Sequence, residues 1–267
     1  MLPPELIKFD EAKLLEIDDT MKSIYRLIVF DKAHRHSDLL TRYLEAMEHL
    51  RDVLSIKNAQ QESQTHEEAV EYLYHLKDGL AMIVEEIAAQ RTLGKPADLF
   101  MLLRKIAPEV AARTPNHFRQ TMVQFGQSTG AAPNEIPGLV EAMFSALGEI
   151  PHPVVRAIYL HHEVVRIHPF TDGNGRLSRL AKNWLLMFDL YPPMFINDYH
   201  DKKQYISKLG GSFLALERNP GLFSADTRAF FDDELRRLKA SAVFTLDRML
   251  KNPTIEFDTS SKSLLND

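Results

Sequence analysis

The chain has 267 residues, 45% hydrophobic and 26% charged, the balance of a soluble globular protein built as one large domain or a core with an extension. Its formal charge of -5, from 32 basic and 37 acidic residues, does not mark the surface as a nucleic-acid binder, and the lack of cysteine excludes disulfides, thiol catalysis and Cys-ligated zinc. The start Met1-Leu2-Pro3-Pro4-Glu5 lacks a signal peptide's basic and apolar regions, and no uncharged run approaches the roughly 18 residues of a membrane span, so the expectation is a soluble, cytoplasmic protein.

Helical periodicity dominates the chain. Leu14, Leu15, Ile17, Met21, Ile24, Ile28 and Val29 define a helix over 11–30, and the stripe from Leu39 to Leu54 defines a second over 37–56. A third helix is predicted over 65–90, with Thr65 as its cap and Glu67 and Glu68 in its first turn. Gly94-Lys95-Pro96 ends it and opens a shorter one. Phe118, Thr121, Val123 and Phe125, followed by Gly126 to Gly130, read as a small irregular hairpin within 117–130. Helices then follow from about 134 to 147, 153 to 167, 174 to 190, 201 to 218 and 226 to 250, and the polar tail from Asp258 is expected to fray. The fold expected is all-α with one hairpin. It divides as 1–95, a helical N-terminal extension; 96–231, the core; and 232–267, a C-terminal helix and tail.

The chemistry concentrates between Ile167 and Leu180. In Asp172-Gly173-Asn174-Gly175-Arg176, the two glycines let the backbone turn and approach a ligand, and the apolar pattern from Leu177 opens a helix. A Gly-rich turn at a helix N-terminus presents unpaired N–H groups and the positive end of the dipole, which suits phosphate. Arg176 and Arg179, three apart, are expected on one side of the first turn, where guanidinium forks complete a polyphosphate cradle. Asp172 can hold a magnesium ion that bridges phosphate oxygens, and His168 can take a proton near neutral pH. Phe170 is expected to point into the core and fix the loop. Each signal is weak alone, since most His-Pro pairs are structural and most arginine pairs are solvated. Together they give a phosphate-binding loop with a general base.

The twelve residues His168-Pro169-Phe170-Thr171-Asp172-Gly173-Asn174-Gly175-Arg176-Leu177-Ser178-Arg179 resemble the Fic signature H-P-F-x-D/E-G-N-G-R-x-x-R at every specified position. Pro153 to Ala157, Asn183 to Met187 and Tyr191-Pro192-Pro193 are similar to the family's flanks. The resemblance covers about 97–231 and implies a helical protein that moves AMP from ATP onto the Ser, Thr or Tyr hydroxyl of a target protein. It implies His168 as the general base, Asp172 as the Mg²⁺ ligand and Gly173, Asn174 and Gly175 as the backbone anion hole, with Asn174 near the α-phosphate. Arg176 would then meet the outer phosphates and Arg179 the γ-phosphate, Phe170 belongs to the nucleotide-binding set, and Tyr205 is a candidate wall of the adenine pocket. The hairpin from Phe118 to Gly130 is similar in position to the family's flap, which lays the target beside the α-phosphate by strand addition. ATP and Mg²⁺ are the implied co-substrate and cofactor; a hydroxyl-bearing protein and a second copy of the chain are the partners considered, with no nucleic acid or membrane.

Many members also carry S/T-x-x-x-E followed by Gly or Asn, whose glutamate pairs with the second motif arginine. Thr41 to Glu45, Ser63 to Glu67 and Ser145 to Glu149 have the spacing, but Ala46, Glu68 and Ile150 follow them. Glu45 and Glu67 are the candidates for a partner of Arg179. His161-His162-Glu163 does not make the H-E-x-x-H zinc pattern and reads as packing. The other readings of the chain are transfer of a different phosphoryl-linked group, or a nucleotide-binding regulatory module with little catalysis.

Overall fold

A computed structural model describes residues 1–34, 38–115, 117–251 and 257. After a 3₁₀ turn at Pro4–Leu6, these residues form α1 (Glu11–His34), α2 (Asp38–Glu62), α3 (His66–Ala88), α4 (Pro96–Ile106) and α5 (Pro108–Arg113). The strands β1 (Gln124–Phe125) and β2 (Ser128–Thr129) follow, and then α6 (Ile136–Leu147), α7 (Pro153–Ile167), α8 (Asn174–Phe188), α9 (Tyr199–Arg218) and α10 (Ala225–Met249). The all-α expectation with one hairpin holds. The expected fraying from Asp258 lies outside the described residues.

The caps are those that residue chemistry favours. Thr65 accepts from the Glu68 N–H at 3.2 Å and Asp198 from the Asp201 N–H at 2.8 Å. Pro153 opens α7 with His152 as its cap, its Nδ1 accepting from the Val154 N–H. The hairpin is shorter than its apolar pattern suggested. Only Gln124 with Thr129 and Phe125 with Ser128 pair, antiparallel, around Gly126.

Helices α7 and α8 form the centre and are buried nearly all round, the signature of core helices. Helices α3 and α4 pack against α8, α9 packs on α10, and α10 also holds α1 and α2. One apolar cluster runs from Leu2 to Met249.

Two differences in length matter for the site. Helix α2 runs six residues past Ile56, through the polar run Lys57-Asn58-Ala59-Gln60-Gln61 to Glu62. That run lacks an apolar stripe, yet Lys57, Asn58 and Ala59 are buried, because the helix end is driven onto α8. Helix α5 also lies where no element was expected, started by Pro108.

Helix α3 reaches the centre through Gly79. A Cβ there would stand 2.6 Å from Ile106 Cγ2 and 3.2 Å from Leu180 Cδ2. Gly79→Ala should lower stability by about 1–3 kcal/mol through overpacking, against the gain in helix propensity. A urea midpoint at or above wild type would refute this close approach.

Candidate functional site

The segment between α7 and α8 owes its shape to two left-handed residues. His168 closes α7 at φ 53, ψ 62, its N–H donating to Val164 O at 3.0 Å, and Gly173 precedes α8 at φ 74, ψ 1. A left-handed histidine is uncommon and must be held by its surroundings. The ring's Nδ1 lies 3.3 Å from Val165 O; a carbonyl can only accept, so Nδ1 carries the proton and Nε2 is left as the acceptor. Phe125 of β1 stacks on the imidazole at 4.2 Å between centroids and 11° between planes. Burial pushes the His168 imidazole down to about 4, aided by Arg119 and opposed by the Val165 carbonyl and Asp172. At neutral pH it is uncharged and able to take a proton.

Phe170 is fully buried in a ring cluster with Phe100 and Phe118, so it anchors the loop. Asn174 is expected in the anion hole through its backbone N–H. Its side chain turns back, Oδ1 accepting from the Phe170 N–H at 3.0 Å and Nδ2 donating to Phe170 O at 2.8 Å. It offers an incoming phosphate its backbone N–H, not its amide. The first intrahelical bond of α8 is Leu177 N–H to Gly173 O at 2.8 Å, and no side chain caps the helix. The N–H groups of Asn174, Gly175 and Arg176 therefore head the helix as an anion cradle.

The two arginines flank this turn from different directions, not as a pair on one face. Arg176 is buried beside Gly173, donating to Ile106 O at 2.9 Å, pairing with Glu109 at 3.4 Å, and lying 3.9 Å beneath the Tyr72 ring. Arg179 lies on the Gly175 side. Its Nε donates to Asn58 Oδ1 and its Nη2 to Glu62 Oε1 at 2.5 Å. A Cβ on Gly175 would meet both Glu62 carboxylate oxygens at 3.1 Å and Arg179 Nη1 at 3.3 Å. The Glu62 carboxylate thus stands over the mouth of the anion cradle. Burial alone would raise its carboxyl, but Arg179, with Lys202 and Arg176 beyond, holds it below the usual carboxylate range. Lys202 Nζ and the Gln61 amide tie the preceding residue down, through Gln61 O and Ile196 O.

Sequence reading missed Glu62 and Asn58. Neither glutamate it favoured partners Arg179. Glu45 is exposed on a cleft between α2 and α10, about 25 Å along the helix from Glu62 at 1.5 Å per residue, and Glu67 is exposed in the first turn of α3. The signal lay in a different pattern, Asn58-x-x-x-Glu62, with asparagine where serine or threonine was sought and Ser63 where Gly or Asn was sought. Tyr205 also departs from its expected role. Its ring is covered among His161, Phe230 and Arg237, its hydroxyl 2.8 Å from His161 Nε2, so it braces the core behind Arg179.

Asp172 is exposed beside the cradle, one carboxylate oxygen accepting from the Gly173 N–H at 2.6 Å. No group of three or more His, Cys, Asp or Glu arranged to hold a metal ion occurs among the described residues. A lone carboxylate at the rim of an arginine-lined cradle fits a cation that arrives with polyphosphate, and does not make a cage for one alone.

A helix-headed anion cradle, two flanking arginines and a neutral histidine under a hairpin thus come together in one helical protein. Residues 95–186 match the Fic/DOC family. It is 37% identical over 112 residues to the protein adenylyltransferase Fic of Culex quinquefasciatus, a match covering 40% of this chain and 22% of that one. The Nematostella vectensis protein of that name is 32% identical over 117 residues, covering 42% of this chain and 27% of its own length. The chain thus spans about a quarter of the curated relatives it matches. Its fold is similar to that of a Fic domain containing signaling protein from Bacteroides thetaiotaomicron, with a TM-score of 0.72 at 18% identity, covering 92% of this chain and all of that one. It is also similar to Fic-1 of C. elegans, with a TM-score of 0.63 at 18% identity over 88% of this chain and 73% of that one. IbpAFic2 covalently tethered to Cdc42 gives a TM-score of 0.52 at 16% identity, covering 87% and 71%. At such identities these structures support the fold alone.

Proposed function

We propose that the chain is a protein adenylyltransferase, moving AMP from ATP to a Ser, Thr or Tyr hydroxyl of a target protein, and that Glu62 holds it in check. One observation carries the reading: a proton-accepting His168 Nε2 shares one short loop with a helix N-terminus flanked by Arg176 and Arg179. The named activity of the Culex relative agrees with it.

In this reading the triphosphate lies over Asn174 to Arg176, with Arg179 on its outer end and Arg176 beside the turn. His168 Nε2 takes the proton from the target hydroxyl as that oxygen bonds to the α-phosphorus and the bond to pyrophosphate breaks. The fixed N–H groups and guanidinium charge stabilise what develops on the phosphates, so positioning and electrostatics supply most of the effect. Asp172 would hold a magnesium ion, which would neutralise phosphate charge. The hairpin edge offers backbone groups to an extended target segment.

The test is label transfer from α-labelled ATP to proteins of a lysate or to the chain itself, with Glu62→Gly as the active form. His168→Ala in that form should cut transfer by roughly 100- to 10,000-fold. Transfer that survives the change removes His168 as the base. The added mass separates AMP from a bare phosphate or another group, and ATP binding without any transfer would favour a nucleotide-binding regulatory module.

A further inference from the structure

Arg119 lies outside the signature, on the approach to the hairpin, and its side chain is fully buried. Among the described residues it forms no ion pair. Its donors go instead to backbone carbonyls: Nε to His168 O at 2.6 Å, Nη1 to Thr121 O at 2.5 Å, and Nη2 to Ala131 O at 2.6 Å and Ile167 O at 3.3 Å. Its own N–H donates to Pro169 O at 3.0 Å. One guanidinium therefore gathers carbonyls from both ends of the hairpin and from the end of α7.

The packing around this hub is close. A Cβ on Gly130 would stand 2.6 Å from Arg119 Nη2 and 3.2 Å from His168 Cβ. Two backbone bonds continue the same seam, Gly130 N–H to Val123 O at 3.0 Å and Ala131 N–H to Ile167 O at 3.2 Å. Phe125, carried by the hairpin, covers the face of the His168 ring. A buried cation satisfied only by carbonyls has a desolvation cost that a core built for stability alone would avoid. The planar fork fixes several carbonyls at set angles, which a lysine cannot reproduce.

We propose that Arg119 is a positioning residue: it locks the left-handed backbone of His168 to the base of the flap, so that the general base and the target-binding strand move as one unit. This rests on the reading of His168 as the base. The charged groups that face the imidazole are Arg119 from the flap base and Asp172 from the loop, with the Val165 carbonyl on α7. Loss of the Arg119 charge and opening of the seam both move the His168 titration upward, toward the ordinary value of about 6.5.

The experiment uses the full chain carrying Glu62→Gly, with Arg119→Gln and Arg119→Lys as variants. Self-modification is measured with α-labelled ATP, ATP affinity by calorimetry, and the His168 titration by imidazole NMR, assigned with His168→Gln. Arg119→Gln should leave ATP affinity unchanged and lower self-modification at saturating ATP by roughly 100-fold, the scale of a small misplacement of reacting groups. Its His168 should titrate closer to the ordinary value, and Arg119→Lys should recover part of both effects. An Arg119→Gln protein with the wild-type His168 titration and rate overturns the proposal. So does one that loses ATP binding in step with transfer, because that is general unfolding. The titration needs no turnover, so a His168→Ala protein that still transfers label would remove the base and leave the Arg119 lock to be judged on the titration alone.

Discussion

Glu62→Gly should raise ATP affinity and self-modification together, by roughly 10- to 100-fold. A hydrogen bond between charged groups contributes about 1.5–3 kcal/mol, and each 1.4 kcal/mol is roughly tenfold in a constant. Arg179 Nη2 is held by Glu62 at 2.5 Å, and the same carboxylate stands over Gly175, where a phosphate would approach the helix N-terminus. Removing it frees one guanidinium edge and takes a negative charge from the cradle. Glu62→Gln should show a smaller gain, because the amide keeps the volume and loses the charge. Glu45→Gly and Glu67→Gly should change nothing, since neither residue partners Arg179. Calorimetric titration with ATP and label incorporation decide the matter; equal affinities for wild type and Glu62→Gly would end the case for this contact as a restraint.

Arg237→Ala should be the most destabilising single change at the back of the site, at about 3–5 kcal/mol. Arg237 is buried among three carboxylates, 2.8 Å from Asp201, 2.6 Å from Asp233 and 2.8 Å from Glu234. Glu234, itself fully buried, also takes Lys182 of α8. The cluster joins α8, α9 and α10 through charge. Truncating Arg237 leaves buried carboxylates with too few cations, and Arg237→Lys cannot restore the fork that binds them. For a chain of this size the loss corresponds to a fall in Tm of roughly 10 °C. Burial would raise the Asp201 and Glu234 carboxyls, yet their cation partners hold both below the usual range. Their contribution is present above about pH 4 and is lost as the pH falls through the depressed values. Thermal and urea unfolding of the variant are the measurements, and a Tm within a degree of wild type would contradict the role given to the cluster.

The signature made the loop, the start of α8 and the proton-accepting histidine legible, because those features depend on neighbours in sequence. Gly173 to Arg176 could be read as an anion cradle from helix-end physics alone. Its partners could not. Asn58 and Glu62 sit on a polar stretch without helical periodicity, and they are ordered by docking on α8, a contact 117 residues away for Glu62. Arg119 resembles any arginine beside a hairpin until its donors are found on carbonyls up to 49 residues away. Tyr205 lies outside the signature, and its distance from the motif says nothing about which face of α9 packs inward. Its bond to His161 decides that. Asn174 shows the same limit within the motif, since an asparagine at a helix start can point forward to a ligand or back to the loop.

Gly175 has a consequence for how the chain couples to other molecules. Its bare Cα leaves one small space that the Glu62 carboxylate fills, and in the proposed reaction a phosphate oxygen would need it, so that nucleotide occupancy and the last turn of α2 would compete for the same atoms. Coupling of this kind is reciprocal. A protein that draws the end of α2 away from α8 will raise the affinity for ATP by the same factor by which ATP raises the affinity for that protein. The apparent ATP affinity is then a measure of how often this helix end lifts, and it will change with anything that grips α2.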